Sequence, residues 1–324
     1  MKKELPLLSV CVAAYNVEKY IEECLNSIRD IEKDYNNKEI IIVNDCSTDN
    51  TERIVKNWIS ENKDIKVIYS RNKKNSWCSW TYYNASNLAN WKYITFLDAD
   101  DFLIEKSFVK KVEMFQRNPD LKIVYGNCYT YSKKRWYIAN FQGDLKSRLN
   151  KPLDDLREYF YTSNPLCSIS TSVIDLDFFR KIWWFDPTIQ INDWVLNIKI
   201  LEDINSLREI DVCDVPCFAY RMNEWNMTKN IDNMLKEQCA IINKYSIDKY
   251  KDITFGNCYY KASLQFLRYW KYKKAFHYIK LSLKKNFSAK RLVLFLLYLI
   301  APLKMIDGIP SDIKNKIFSI LKLS

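Results

Sequence analysis

Along the first hundred residues, short uninterrupted apolar runs alternate with stretches whose apolar positions recur every three or four residues. Leu8–Ala13 reads Leu-Ser-Val-Cys-Val-Ala, a buried strand. Val17–Ile28 then carries apolar side chains at 17, 20, 21, 24, 25 and 28, the period of a helix. Glu39–Val43 is a second strand, Asp49-Asn50-Thr51 opens a helix running through Trp58, Ile65–Tyr69 is a third strand and Tyr93–Leu97 a fourth. Strands that are apolar on both faces and alternate with helices predict a parallel sheet covered on both sides. From 105 to 230 the pattern is mixed, with strands at Lys122–Tyr125, Ser170–Ile174 and Val212–Tyr220.

Residues 231–290 read as helices rich in Tyr and Lys, and Tyr260–Lys284 as a helical pair turning at Trp270-Lys271-Tyr272. Leu292–Ala301 is ten apolar residues closed by Pro302, half of the roughly 20 that span a bilayer. Beyond Ser311, Ile313, Ile317, Ile320 and Leu321 stripe one face of a last helix, with Lys314, Lys316 and Lys322 on others. Such a pair either lies in the plane of a membrane surface or closes the core.

Composition narrows this picture. A chain of 324 residues that is 48% hydrophobic is not disordered, and 4 Gly exclude collagen-like sequence. The net charge of +11 suggests nucleic acid until it is located. Residues 251–324 hold 15 Lys and Arg against 3 Asp, a net of +12, which leaves −1 for the first 250. A basic tail beside apolar helices suits an anionic membrane surface better than a base sequence. Ten scattered cysteines, no Cys-x-x-Cys and a single histidine, His277, argue against zinc. The N-terminus shows no secretory apolar region, so a reducing cytoplasm is expected.

In parallel sheets, ligands bind beyond the carboxyl ends of the strands. What stands there is polar: Tyr15-Asn16 after the first strand, Asn44-Asp45-Cys46-Ser47 after the second, Asp98-Ala99-Asp100-Asp101 after the fourth. Carboxylates at i and i+2 suit a hard divalent cation that keeps positions open for phosphate oxygens. An isolated Asp-x-Asp is usually a charged turn; here Asp45 at a neighbouring strand end turns the argument toward a site.

Three segments together resemble family 2 glycosyltransferases of the GT-A fold over roughly residues 5–230. They are Val10–Asn16 with Glu18, Glu39–Thr51, and Phe96–Phe102 (Phe-Leu-Asp-Ala-Asp-Asp-Phe). The fold this implies is α/β, a doubly wound, largely parallel sheet with an appended helical region. Residues 1–104 would be the nucleotide-sugar half and 105–230 the acceptor half; 231–324, beyond the resemblance, would be a helical basic C-terminal region that either anchors to a membrane surface or closes the core. The resemblance implies that the backbone at Ala13–Tyr15 holds base and ribose, with Glu18 near the ribose, and that Asp45 accepts a hydrogen bond from uracil. Asp98 would face the nucleotide sugar, and Asp98 and Asp100 would ligate Mn²⁺ or Mg²⁺.

Similar enzymes also carry an Asp general base at a helix start, and Ile191-Asn192-Asp193-Trp194 matches with Asn192 in place of Glu. Asp193 is the expected base, and capping its own helix is compatible with that role. Tyr220-Arg221-Met222-Asn223 resembles the family's Tyr-Arg-x-His, so Arg221 is expected to offset phosphate charge, or else to sit exposed on a turn. Where the family carries Gly-containing segments, this chain has Trp77 and Trp80, then Trp183 and Trp184. These rings wall a sugar pocket or fill the core, with at least one of each pair packing.

The implied function is an inverting, metal-dependent transfer of one sugar from a nucleotide donor, expected to be UDP-linked, to a lipid-linked, lipooligosaccharide or capsular glycan. The work would be done peripherally on the inner face of the cell membrane. The absence of Gln-x-x-Arg-Trp and of long apolar spans speaks against a processive synthase. Two alternatives stay open. A nucleotidyltransferase would carry a Gly-rich phosphate loop, which Ala13-Ala14-Tyr15-Asn16 is not. A nucleic-acid binder would carry its charge on the folded body, which is nearly neutral.

Overall fold

In a computed structural model, the described residues are 8–31, 37–104, 107–132, 135–139, 145–163, 168–182, 186, 188–191, 193–222, 230–269 and 271–300. The expected last helix beyond Ser311, as well as Trp183, Trp184, Asn192 and Asn223, lie outside them. The chain divides into two compact units, residues 1–160 with 164–224, and residues 161–163 with 225–324.

The first unit is built on one mixed sheet. Its parallel part comprises β1 (Leu8–Ala14), β2 (Lys38–Asn44), β3 (Val67–Arg71) and β4 (Tyr93–Asp98). The remaining described strands are β5 (Phe102–Leu103), β6 (Ile123–Ser132), β7 (Arg135–Ala139), β8 (Val173–Asp175) and β9 (Ile210–Arg221). The order is β3-β2-β1-β4-β8-β6-β9-β5, with β7 paired to β6. The first four strands are parallel, and β8 is antiparallel to both β4 and β6. The chain thus moves outward from β1 to β3 and then returns to place β4 on the other side of β1. That reversal opens a crevice above β1 and β4, where Ala13 is the register partner of Asp98 and Ala14 of Asn44.

Alternation along the strands sends side chains into two cores. Val10, Val12, Ile40 and Ile42 pack with α1 (Ile21–Ile31), α2 (Thr51–Glu61) and α4 (Ser107–Arg117). Cys11, Ile41, Val43, Ile94 and Phe96 pack on the other face with α3 (Trp77–Leu88), α6 (Leu153–Ser163), α7 (Leu176–Ile182) and α8 (Asp193–Asp203). A short α5 (Leu145–Arg148) precedes α6. In α1 the periodic positions 21, 24, 25 and 28 are all fully buried. Both faces are covered, as the continuous apolar runs require.

The second unit contains the described helices α9 (Ile231–Tyr245), α10 (Asp248–Arg268), α11 (Tyr272–Lys285) and α12 (Ala289–Ile300). Small residues let α10 and α11 approach closely. Ser282 Oγ donates to the Gly256 carbonyl at 2.7 Å, and Ser263 Oγ to that of Ala275 at 2.8 Å. A Cβ at Gly256 would stand 2.6 Å from that of Asn286. Phe287, Val293 and Leu296 are exposed. Among the described residues no helix is long and apolar enough to cross a membrane.

Candidate active site

The rim above β1, β2 and β4 is a mesh of side-chain-to-backbone bonds. After β1, the Asn16 N–H donates to Ser47 Oγ, and Asn16 Oδ1 accepts from the Thr48 N–H at 2.8 Å. Glu18 accepts from the Asn50 N–H at 3.0 Å and from Asn50 Nδ2 at 2.9 Å, so its carboxylate ties this loop to the start of α2. Ala13 is half-buried at the end of β1 and its carbonyl accepts from the Ala99 N–H, while Tyr15 is exposed.

Asp45 follows β2 and is buried. It accepts from Asn72 Nδ2 at 2.7 Å, and both its oxygens accept from the Ser76 N–H, at 2.9 and 3.1 Å. Asn72 is itself held by Asn84, whose Nδ2 donates to it at 2.8 Å. Asp98, half-buried at the end of β4, accepts on Oδ1 from Tyr82 at 2.6 Å and from the Cys78 thiol at 3.4 Å. Burial raises the pKa of its carboxyl, and these two bonds oppose the rise. Both carboxylates are therefore held by the segment from Asn72 through α3.

Arg221, at the end of β9, lies behind the Asp98–Asp101 turn. Its Nε donates to the Asp100 carbonyl and its N–H to Asp101 Oδ1, each at 2.7 Å, while Nη2 pairs with Glu23. The guanidinium carbon stands 4.7 Å from the Phe102 ring centroid, 5.0 Å from Tyr20 and 5.6 Å from Tyr131. This arginine fixes the turn that presents Asp98 and Asp100. Asp101 is buried with Oδ2 unbonded; burial first, then the charges of Asp100 and Asp98, raise its pKa well above the carboxylate range.

Asp193 opens α8 on the same sheet face as Asp98. Its carboxylate accepts from the Ser168 side chain and the Ile169 N–H. Burial, with the Asp98 charge adding to it, pushes its carboxyl up to about 7. Trp194 is buried beside it and donates its indole N–H to the Phe160 carbonyl at 2.8 Å. Just before it in the chain, the Gln190 carbonyl accepts from Ser79 of α3 at 2.9 Å.

Asp45, Asp98 and Asp100 thus gather at one sheet edge, and Asp193 is electrostatically coupled to Asp98. Among the described residues no group of three or more His, Cys, Asp or Glu could enclose a metal. The donors at Asp98 and Asp100 are oxygens alone, and with Asp98 Oδ1 already bonded, the set fits a hard cation that takes its other ligands from phosphate. The residues that sequence reasoning missed are Asn72, Ser76, Cys78, Tyr82 and Ser168.

The family model for Glycosyl transferase family 2 matches residues 9–183. The UDP-Glc:alpha-D-GlcNAc-diphosphoundecaprenol beta-1,3-glucosyltransferase WfgD of Escherichia coli is 25% identical over 239 residues, covering 74% of this chain and 86% of that protein. The chain spans between 40% and 65% of the length of several other curated relatives. Two solved structures share the fold. One is S. aureus TarS 1-349 in complex with UDP-GlcNAc, with TM-score 0.58, 18% identity, and coverage of 93% of this chain and 87% of that one. The other is the mannosyltransferase PcManGT of Pyrobaculum calidifontis in complex with GDP-Man and Mn²⁺, with TM-score 0.58, 15% identity, and coverage of 93% and 82%.

Proposed function

Since the chain belongs to glycosyl transferase family 2, we propose that it moves one sugar, with inversion, from a UDP-linked donor to a hydroxyl of a lipid-linked or surface-glycan acceptor. In this reading Asp45 accepts the hydrogen bond of the uracil ring, and the backbone at Ala13 and Tyr15 borders base and ribose. Asp98 and Asp100 are the residues that would hold Mn²⁺ or Mg²⁺. A cation bound there offsets the negative charge that builds on the departing nucleoside diphosphate. Glu18 and Arg221 act through the loops they tether, the first between β1 and α2, the second behind the Asp98–Asp101 turn.

The observation that carries the proposal is Asp193. An ordinary carboxylate is too weak a base to take a proton from a sugar hydroxyl efficiently, and catalytic bases work best with a pKa near the working pH. Burial, the largest cause of its raised pKa, moves this carboxyl toward that condition independently of any cation at Asp98. The bond from the Ile169 N–H holds one orientation of its oxygens, so the acceptor's proton is taken at a fixed position as the sugar's C1 is attacked. A metal-bearing and a UDP-sugar-bearing structure of the same fold, and a relative named for a diphosphoundecaprenol-linked acceptor, support the donor, cation and acceptor classes.

The basic helical region supports peripheral attachment to an anionic membrane. Exposed Phe287, Val293 and Leu296 lie among exposed Lys284 and Lys290, the apolar-plus-cationic pattern of interfacial helices. The test of function is a panel of sugar nucleotides incubated with and without Mn²⁺. Slow hydrolysis of one UDP-sugar, dependent on the cation, is the expected result. Turnover of a sugar 1-phosphate with UTP instead would make the chain a nucleotidyltransferase.

A further inference from the structure

We propose that Trp77 is the second wall of a nucleobase slot above Asp45, opposite Tyr15. This deepens the nucleotide reading of the rim and rests on it. Backbone bonds bring the start of each ring's segment to Asp45. Asp45 donates its own N–H to the Ala14 carbonyl at 2.8 Å, one residue before Tyr15. Ser76 donates its N–H to both oxygens of Asp45, so Trp77 begins one residue from the carboxylate's own partner. A carboxylate reads a base along its edge and leaves both flat faces to be covered, and aromatic side chains cover such faces.

Two independent features set these rings apart. Among the described residues of the first unit, the exposed large hydrophobic side chains are Tyr15 (45%), Trp77 (55%) and Met222 (37%). Two of the three therefore border Asp45. The backbone is also unusual here. The described non-glycine residues with positive φ are Asn16 (51°), Cys46 (62°) and Trp77 (72°), one in each loop that rings Asp45. A bulky side chain in the left-handed region is costly, and such residues cluster where a ligand is gripped. Trp80 behaves otherwise. It is half-buried and stacks on Tyr83 with centroids 5.1 Å apart, so one member of this tryptophan pair packs and the other faces solvent.

Titration of wild-type, Trp77→Phe, Trp77→Ala and Trp77→Gly proteins with UDP and with UMP, alongside Tm measurements, tests the assignment. Loss of the ring in Trp77→Ala weakens both ligands about tenfold, and Trp77→Phe retains most of the affinity. Trp77→Gly removes the ring and the unfavourable backbone together, so affinity falls with no loss of Tm. Quenching of tryptophan fluorescence by UDP disappears in Trp77→Phe although binding persists. Equal affinities in wild type and Trp77→Ala, a loss confined to UDP but not UMP, or a Tm that falls in step with affinity would overturn the slot. Failure of the wild-type protein to bind UDP at all would instead remove the nucleotide reading beneath it.

Discussion

Replacing Asp193 by Asn separates catalysis from stability in a way that few other substitutions here can. The carboxyl rises from 3.8 to about 7 because burial and the Asp98 charge disfavour its ionised form. Each unit corresponds to about 1.36 kcal/mol, so the ionised carboxylate costs the fold at most about 4 kcal/mol above pH 7. Between the unfolded and folded pKa values the native state holds the extra proton, and stability therefore falls as pH rises from about 4 through 7. Asn is a neutral isostere that escapes this loss. The variant should unfold several degrees above wild type at pH 8.5 and above it by less than half that margin at pH 5.

Turnover should move the opposite way. Removal of a general base costs about 10²–10⁴-fold in kcat, with UDP affinity nearly unchanged. The rising limb that the wild-type pH profile owes to this carboxyl should vanish with it. Transfer or donor hydrolysis, followed by UDP release, together with thermal melts at the two pH values, makes the measurement. Near-normal turnover would remove Asp193 as the base. A stability gain equal at both pH values would show that its carboxyl is not held above the ordinary range.

Asp45→Ala should weaken UDP by about tenfold or more without changing the preference among divalent cations, read by titration calorimetry; unchanged affinity would refute the uracil contact. Gly256→Ala should destabilise the second unit by about 1–3 kcal/mol, because the added methyl would meet Asn286 Cβ at 2.6 Å and Arg291 Nη1 at 2.8 Å. Thermal unfolding that stays unchanged would mean the helices can part without loss. Replacing exposed Phe287, Val293 and Leu296 together by Ser should lower co-sedimentation with anionic vesicles while leaving Tm near wild type, and undiminished binding would place the membrane contact elsewhere.

The parallel half of the fold was legible because β1, β2 and β4 are continuous apolar runs, and their ends switch at once to Asn, Asp and Ser. Asp45, Asp98 and Asp100 could be assigned to one edge from the amino-acid sequence alone, since parallel strands present all their carboxyl ends together. The helix α3 could not be read. Trp-Cys-Ser-Trp-Thr-Tyr-Tyr-Asn is polar and aromatic on every side, because Tyr82 and Ala85 enter the core while Cys78, Thr81 and Asn84 serve the site network.

The middle of the chain was obscure for another reason. β8 runs against its neighbours, and β6 pairs with β9 through register shifts at Tyr125, Asn127 and Tyr129, neither of which leaves a periodic trace. The surroundings of Arg221 depend on Glu23, 198 positions away, and on three rings from separate segments. Likewise, Asp193 is raised by burial and by the charge of Asp98, against the opposing bonds from Ser168 and Ile169, and none of these residues is adjacent to it in sequence.

Crystals of the wild-type protein soaked with UDP and Mn²⁺, with data collected at the manganese absorption edge, test the whole scheme most directly. One anomalous peak within coordination distance of Asp100, bridged to the diphosphate of a nucleotide whose base meets Asp45, is the predicted outcome. UDP bound away from both carboxylates, or manganese absent from the Asp98–Asp100 turn at saturating concentration, would contradict it.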